Sequence, residues 1–495
     1  MRTNYIWLLA FSVISFTACE SDDTRLADPI FEETTAVEYT SGNADFSSFV
    51  AVGNSLTAGY SDGALFAKGQ NVSFPNILAN QFAVVGGGNF TQPLMNDDIG
   101  GFVLGGNPIL HPITGANLFP PRLIFDTAAQ VPVTYPAPST TELMTTIPGP
   151  YNNMGVPGAK VGHLLAPGFG NMTNFPNANP YFIRMASQPN ATVLEDALAM
   201  NPTFFSLWIG NNDVLGYAAS GGDGSNPITD TATFTGAYNM VVSALVSASP
   251  NGIVANIPNV TDTPHFTVVP HNPIPLDAPT AGAVNAAYAA YNAGVQSLVG
   301  VPPVNLTQEE ADSRMINFAE GSNNAVVIMD EDLSDLTIYN PALIGMRQAT
   351  SEDLIVLTAS SFIGTLADPG NPMSVNGVAI PLGDKWVLTP SEQEEIATAT
   401  QAFNQVIADA AAANNLPLFD ANAFLSQAAT TGITSGSVTV TSDFVTGGAF
   451  SLDGVHLSPR GYAIVANKMI ELINTTYNAN VPKVNPANYT GVYIN

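Results

Sequence analysis

The chain has very few cysteines and very few basic residues. One cysteine in 495 residues excludes a disulfide framework and any zinc site built from cysteine ligands. Lysine and arginine together number 12 against 40 acidic residues, which gives a formal net charge of −28. Because nucleic acids and anionic lipids are bound through basic surfaces, this charge argues against both as partners.

Charged residues as a whole and long apolar runs are also scarce. Only 11% of the residues are charged, against roughly 25% in an average globular protein. The N-terminal apolar run from Ile6 to Phe16 is too short to span a bilayer, which takes about 20 residues. Hydrophobic residues nevertheless make up 46% of the chain, which is enough to build a large core and excludes wholesale disorder.

The single cysteine lies just after this apolar run. Arg2 precedes the run, and the small residues Thr17 and Ala18 follow it, which is typical of a secretory signal peptide. Together with Cys19 the segment resembles a bacterial lipobox, in which the cysteine is acylated and becomes the first residue of the mature protein. We therefore predict a lipoprotein signal peptide over residues 1–18, with an ordinary signal peptide and an incidental cysteine as the alternative.

A polar segment follows the predicted lipidation site. The acidic stretch Glu20 to Asp23 resembles the surface-export signal of Bacteroidetes lipoproteins, and a solvated, charged tether is the alternative. Residues 19–44 are polar and lack helical periodicity, so we predict a flexible tether there. The resemblance implies an outer-membrane lipoprotein that is held by its lipid and exposed on the cell surface.

Apolar runs alternate with helical patterns through most of the remaining chain. Strands are predicted at residues 49–52, 203–209, 253–257 and 416–419, and helices at 74–82, 233–249, 281–298, 390–413 and 459–473. Strands that alternate with helices indicate an α/β domain with a parallel sheet flanked by helices. The start of the fourth of these helices is especially clear, with Thr389 as N-cap, Pro390 at the first position and Glu392 at the third.

The predicted domain covers residues 45–480 and leaves a C-terminal tail at 481–495. Two long insertions are expected, near 86–150 and 260–385. The first is rich in glycine, proline, asparagine and threonine and is predicted to have little regular structure. Further strands are expected at 325–329 and 354–357.

Three short segments carry side chains suited to acyl transfer. Ser55 follows the first strand, where a nucleophilic serine can meet free backbone N–H groups, although serine also serves as an N-cap. Asn212 follows the strand at 203–209, where its amide can donate to an oxyanion, although asparagine is also common in turns. Asp453 and His456 can supply a base and the carboxylate that orients it, with an ordinary surface loop as the alternative.

Taken in order along the chain, these segments resemble the GDSL/SGNH hydrolase superfamily. Gly53 to Gly59 resembles block I, Asn153 to Gly158 block II, Gly210 to Asp213 block III, and Asp453 to His456 block V. The resemblance implies a three-layer α/β/α fold of SGNH type. It departs from the pattern at Asn54, where the motif of the family has Asp.

The resemblance also implies a role for each matching residue. Ser55 would be the nucleophile, and His456 the general base, oriented by Asp453. The backbone N–H groups of Ser55 and Gly158 would form the oxyanion hole with the Asn212 side chain. Gly155 is the alternative donor if the alignment of block II is shifted by three residues.

The predicted function is a serine ester hydrolase that acts on lipid-like or simple acyl esters without a metal or cofactor. The alternatives are a carbohydrate acetylesterase and a non-catalytic surface lipoprotein that binds glycans or lipids. Apolar residues of the first insertion are expected to line an acyl site: Leu104, Ile109, Leu110, Leu118, Phe119, Leu123 and Ile124. His265 either lines the cleft or is a loop residue, and His163 and Lys160 either contact substrate or belong to a helix surface.

Overall fold

A five-stranded parallel sheet forms the centre of the domain. The computed structural model describes residues 37–494. The strands are β1 Phe49–Gly53, β2 Asn153–Gly155, β3 Phe204–Trp208, β4 Gly252–Ala255 and β5 Leu418–Phe419. Their order across the sheet is β5-β4-β3-β1-β2, and every neighbouring pair is parallel. The predicted α/β class with a parallel sheet is therefore confirmed.

Both faces of this sheet are buried against helices. The longer helices and the helix after β1 are α1 Ser55–Ala58, α2 Phe74–Val84, α3 Asn212–Ala219, α4 Thr231–Ala248, α5 Ala278–Gln296, α6 Pro390–Ala413, α7 Ala421–Thr430 and α8 Pro459–Tyr477. Val50 and Val52 of β1 share an apolar cluster with α4 and α6. Phe49 and Ala51 share the opposite cluster with α2, α7 and α8. Successive strand residues point to opposite faces, so near-continuous apolar strands are what a sheet covered on both sides requires.

The helix boundaries agree closely with the sequence patterns. The predicted start of α6 is confirmed, because the Thr389 N–H donates to Glu392 Oε2 at 2.6 Å and Pro390 is the first helical residue. The helices predicted at 233–249 and 281–298 begin two or three residues earlier than expected, at Thr231 and Ala278. Asp230 and Asp277 accept N–H groups there as N-caps, which is a common way to begin a helix.

The two insertions have their own small structures. Residues 86–150 contain two antiparallel pairs, Val103–Leu104 with Asn107–Pro108 and Leu123–Asp126 with Val131–Thr134. The strands expected at 325–329 and 354–357 form at Val327–Met329 and Leu354–Ile355. They pair antiparallel with Met346–Gln348 and Val387–Leu388, outside the main sheet. Periodicity identifies a strand but does not identify its partner.

The remaining elements are short. Two further antiparallel pairs join Ile274–Leu276 to Gly321–Asn324 and Ile433–Ser435 to Val438–Val440. Short helices span Ala67–Gln70, Pro180–Met185, Val193–Leu198, Pro264–Thr267 and Gln308–Ser313. Within residues 37–494, no helix combines the length and the apolar character needed to cross a bilayer.

The predicted domain limits at 45 and 480 fall inside one compact unit that begins at Tyr39. Val481 and Tyr493 are buried, and the Phe125 N–H donates to the Tyr493 carbonyl at 2.9 Å. The C-terminal segment thus packs on the first insertion. The predicted signal peptide, Cys19 and residues 19–36 of the tether lie outside the described residues.

Candidate active site

Ser55 is placed at the carboxyl end of β1 by a tight strand-to-helix turn. It is the first residue of α1, and only 7% of it is exposed. Gly53 makes the turn possible, since a Cβ there would lie 2.4 Å from the Trp208 carbonyl oxygen of the neighbouring strand. The Ser55 N–H has no hydrogen-bond partner among residues 37–494, as expected at the N-terminus of a helix.

A continuous chain of hydrogen bonds joins Ser55, His456 and Asp453. Ser55 Oγ lies 2.8 Å from His456 Nε2, and His456 Nδ1 lies 2.9 Å from Asp453 Oδ2. His456 and Asp453 both come from the loop before α8, about 400 residues further along the chain than Ser55. The spacing lets His456 accept the Ser55 proton, because 2.6–3.2 Å is the range for direct proton transfer.

The environment of Asp453 determines the tautomer of His456. Its Oδ1 accepts the N–H groups of Val455 and His456, and its Oδ2 also accepts the Gly63 N–H. Burial opposes ionisation, but the nearby His456 and these donors outweigh it and hold the pKa of Asp453 well below its usual range. An ionised Asp453 only accepts hydrogen bonds. His456 Nδ1 therefore carries a proton, and Nε2 is free to accept the Ser55 hydroxyl.

Two residues that the sequence analysis did not select hold the Asp453 loop in place. The Asp62 N–H donates to Ser451 Oγ at 2.9 Å, and Asp62 Oδ1 accepts the Leu452 N–H at 2.9 Å. Ser451 in turn donates to Asp453 Oδ1 at 3.1 Å. Asp62 follows block I and Ser451 precedes block V, so proximity to the motifs was the available signal.

Asp62 itself is a buried carboxyl group whose pKa lies above the usual value for aspartate. Its residue is 1% exposed, and Oδ2 has no partner in the described part of the chain. Burial raises the pKa of Asp62 to about 7, and the charge of Asp453 adds to the rise, while the Leu452 N–H and Arg122 oppose it. The proton is therefore held more tightly in the folded state than in the unfolded state, where an aspartate pKa is about 3.9.

This pKa predicts a stability that falls as pH rises. Between about pH 4 and pH 7 the folded chain keeps a proton on Asp62 that the unfolded chain has released, so the free energy of unfolding decreases with pH. Asp62→Asn cannot titrate. Between pH 5 and pH 8 the variant should lose about 1–3 kcal/mol less stability than the wild type, measured by urea unfolding.

The quantity to compare is the change of the free energy of unfolding with pH, because the new amide changes the absolute stability at every pH. Asp409→Asn, on the exposed surface of α6, is the matched control and should keep the wild-type slope. Equal slopes for Asp62→Asn and wild type would show that Asp62 is already ionised at pH 5.

Asn212 is positioned by the segment that carries Gly158. It begins α3, and its Nδ2 donates to the Ala159 carbonyl at 2.9 Å. The next residue, Asp213, accepts the Val161 N–H at 2.9 Å. An amide has two N–H donors, so Asn212 retains one for a ligand after binding Ala159.

The structure distinguishes between the two glycines of block II. The Gly155 N–H donates to Asn153 Oδ1, and a Cβ on Gly155 would lie 2.3 Å from the Ala58 nitrogen. Gly155 is thus used for close packing of β2 on α1. Gly158 is exposed, has a φ of +79°, and its N–H has no partner within residues 37–494. Gly158 is therefore the better placed of the two to donate to a ligand.

Asn54 links block I to block III. Its Oδ1 accepts the Leu56 N–H at 3.0 Å, and its Nδ2 donates to Asn211 Oδ1 at 3.0 Å. Both asparagines are buried. The amide therefore caps α1 and at the same time fixes the loop that precedes Asn212, which an aspartate could do only if the Asn211 amide were turned round.

A cleft of about 890 Å³ opens beside His456. Its wall is mainly apolar and comes from the segment after α1, from both insertions and from the loop before α8: Tyr60, Leu123, Phe125, Val131, Pro132, Val268, Leu357, Phe444 and Val445. The Tyr60 ring lies 4.6 Å from the His456 ring. A separate, smaller pocket borders Ser55, Asn212 and His456. The catalytic candidates thus lie between a tight pocket and an open apolar cleft.

Most of the apolar residues expected to form this wall lie elsewhere. Of the seven, only Leu123 lines the cleft. In the strand Leu123–Asp126, Leu123 and Phe125 point one way and Ile124 the other, so Ile124 is buried against Phe66 and Tyr493. The others are exposed or pack with Phe102: Leu104, Leu110 and Leu118 in the first group, Ile109 and Phe119 in the second.

The remaining polar candidates separate into two groups. His265 lines the cleft and is 8% exposed, and its backbone N–H donates to the Gly454 carbonyl. Burial lowers the pKa of His265, which favours the neutral ring. His163 accepts the Lys160 N–H through Nδ1 and stacks on Phe169, while Lys160 Nζ binds Asn226. The structure uses these two residues for local packing.

Comparison with known proteins gives no family assignment. No protein-family model, no curated protein and no solved structure matches the chain. The resemblance to SGNH hydrolases rests on four short segments of the sequence. Conclusions about function therefore depend on the chemistry of this site.

Proposed function

We propose that the protein is a serine ester hydrolase of SGNH type. The observation that supports this most strongly is the hydrogen-bonded chain from Ser55 through His456 to Asp453 at the carboxyl end of a parallel sheet. Ligands bind at that end in α/β proteins. Purified protein should hydrolyse p-nitrophenyl acetate, whereas a lipoprotein that only binds glycans or lipids should not.

The proposed reaction begins with attack by Ser55 on the ester carbonyl carbon. His456 Nε2 takes the Ser55 proton, and the carbonyl oxygen becomes an oxyanion. The free N–H groups of Ser55 and Gly158 and the second N–H of Asn212 stabilise that charge. His456 then gives its proton to the departing alcohol oxygen, which leaves an acyl-enzyme.

The second half of the reaction regenerates the enzyme. Water enters beside His456, which accepts one of its protons while the hydroxyl attacks the acyl carbon. The proton then passes from His456 to Ser55 Oγ as the carboxylic acid leaves. Asp453 stays ionised and stabilises the imidazolium in both halves.

The apolar cleft supports acyl esters longer than acetate as substrates. Each methylene buried contributes about 0.8 kcal/mol, which corresponds to roughly a fourfold gain in kcat/KM. We expect kcat/KM for p-nitrophenyl esters to rise from acetyl to about C4–C8. A steep maximum at acetyl, with acetylated glycans hydrolysed faster still, would instead indicate a carbohydrate acetylesterase.

A charged residue placed in the cleft wall tests independently whether the cleft binds the longer acyl chains. Val131 lines the cleft and is 46% exposed, so Val131→Glu should fold normally. It should lower kcat/KM for a C8 ester far more than for acetate, because the carboxylate keeps water near the chain. Ile113→Glu, at an 88% exposed position of the same insertion that does not line the cleft, should leave the ratio unchanged.

The N-terminal sequence indicates where the protein is located in the cell. We propose that Cys19, which directly follows the signal-peptide-like segment, carries the lipid and anchors the protein in the outer membrane. Stable anchoring takes more than one acyl chain, and lipoprotein modification supplies them. Cys19→Ser should release the protein from the membrane fraction, and replacement of residues 21–23 by alanine should reduce surface exposure. A wild-type N-terminus without lipid mass would contradict the assignment.

A further inference from the structure

A second group of carboxylates lies away from Ser55, where the second insertion meets α6. Glu331, Asp384 and Glu392 each place a carboxylate oxygen within 4.8 Å of the other two. They come from three separate segments: the turn after the strand Val327–Met329, the turn before Val387–Leu388, and the first turn of α6. Like charges at this spacing repel each other unless a cation or protons neutralise them.

Glu392 offers an oxygen that the protein does not use. The residue is 4% exposed, and its Oε2 accepts the N–H and the hydroxyl of Thr389. Its Oε1 has no partner among the described residues. A buried carboxylate oxygen without a donor costs stability, so this atom points to a ligand.

The backbone closes around this oxygen. A Cβ on Gly222 would lie 1.8 Å from Glu392 Oε1, and a Cβ on Gly221 would lie 2.1 Å from the Asp384 carbonyl oxygen. Both glycines have positive φ, +64° for Gly221 and +76° for Gly222. The loop that follows α3 can therefore approach Glu392 and Asp384 only because it carries no side chains there.

No lysine or arginine among the described residues forms an ion pair with any of these three carboxylates. The neighbouring Lys385 directs its Nζ over the Trp386 ring, 4.9 Å from the centroid.

We propose that Glu331, Asp384 and Glu392 bind one calcium ion. The ligands are all hard carboxylate oxygens, which can bind through one or both atoms and so suit the variable six- to eight-fold coordination of Ca²⁺ better than the strict octahedron of Mg²⁺. The ion would join the second insertion to the start of α6 and to the loop after α3. Because α3 begins at Asn212, the same ion would brace the helix that carries this oxyanion-hole candidate.

Calcium binding to the full chain is measured after treatment with EDTA and dialysis. Titration calorimetry should give one Ca²⁺ per chain with a Kd of about 10⁻⁵–10⁻³ M. Saturating Ca²⁺ should raise Tm by about 2–5 °C, since a ligand that binds only the folded state stabilises it. Mg²⁺ at the same concentration should have a smaller effect.

The variant Glu392→Gln distinguishes a role of Glu392 as a calcium ligand from a purely structural role. Its amide oxygen can still accept from Thr389, so the start of α6 is kept. Ca²⁺ affinity should fall at least tenfold, while Tm in EDTA at pH 8 should equal or exceed that of the wild type because a repelling charge is gone. Glu394→Gln makes the same change at an exposed position on α6 and should retain the full response to Ca²⁺.

The exposed Glu331 provides a second variant if Glu392→Gln does not fold. Glu331→Gln should also weaken Ca²⁺ binding at least tenfold. The proposal is overturned if wild-type Tm does not respond to Ca²⁺, or if both variants bind Ca²⁺ with wild-type affinity. Equal stabilisation by Mg²⁺ would overturn the choice of calcium.

Discussion

Ser55→Ala is expected to lower kcat for p-nitrophenyl ester hydrolysis by roughly 10⁴- to 10⁶-fold. The reaction loses its nucleophile, and His456 Nε2 loses the hydroxyl that lies 2.8 Å away. Only one oxygen is removed from a nearly buried position, so the far-UV spectrum and Tm should stay close to those of the wild type. His456→Ala should have a similar effect on kcat, and the double variant should be little worse than either single one, because the residues act as a unit.

The comparison needs a serine that takes no part in the reaction. Ser243→Ala, on the exposed side of α4, undergoes the same purification and should retain full activity. A fluorophosphonate should label the peptide that contains Ser55 in the wild type and in Ser243→Ala only, as detected by mass spectrometry. More than a tenth of wild-type activity in correctly folded Ser55→Ala would overturn the assignment of the nucleophile.

Asn212→Ala is expected to lower kcat by about 100- to 1,000-fold, which is typical for the loss of one oxyanion donor. KM should change little, since the amide acts mainly on charge that develops in the transition state. The bond from Asn212 Nδ2 to the Ala159 carbonyl is lost as well. That loss should cost about 1 kcal/mol of stability, which thermal unfolding can measure separately.

Asn239→Ala, on the surface of α4, is the matched control and should leave kcat and KM unchanged. If Asn212→Ala raises KM and leaves kcat intact, Asn212 binds substrate in the ground state and the oxyanion is stabilised by backbone N–H groups alone. A full loss of activity together with a large drop in Tm would instead show that Asn212 acts by holding the segment after β2.

Local features of the fold were accessible from sequence because they depend on neighbouring residues. The start of α6 at Pro390 follows from the capping pattern of Thr389 and Glu392, which involves only four positions. The buried strands β1 and β3 are apolar except for Ser206, as sheets covered on both faces require. The pairing of Leu354–Ile355 with Val387–Leu388 was not accessible, because no local pattern identifies a partner 32 or 34 residues away.

In the candidate site, too, the sequence revealed the residues that belong to local motifs but not those that act through distant contacts. Ser55, Asn212, Asp453 and His456 were selected because their residue types and order resemble a known motif set. Asp62 was not, since a lone aspartate after a motif has no distinctive local pattern. Its role follows from contacts with Ser451 and Leu452, which lie 389 and 390 residues away in sequence.

The sequence by itself determined the class of the domain, the approximate positions of many of its main helices and strands, and the candidate residues for acyl transfer. These properties follow from side-chain chemistry and from periodicity over a few turns or strand residues. Only the tertiary structure decided which residues come together and which groups stay free: Leu123 rather than Ile124 lines the cleft, Gly158 rather than Gly155 keeps an unpaired N–H among the described residues, and three distant carboxylates form one cluster. Such contacts depend on how the strands and insertions are arranged in space, and the free energy that selects this arrangement comes from burial summed over the whole domain.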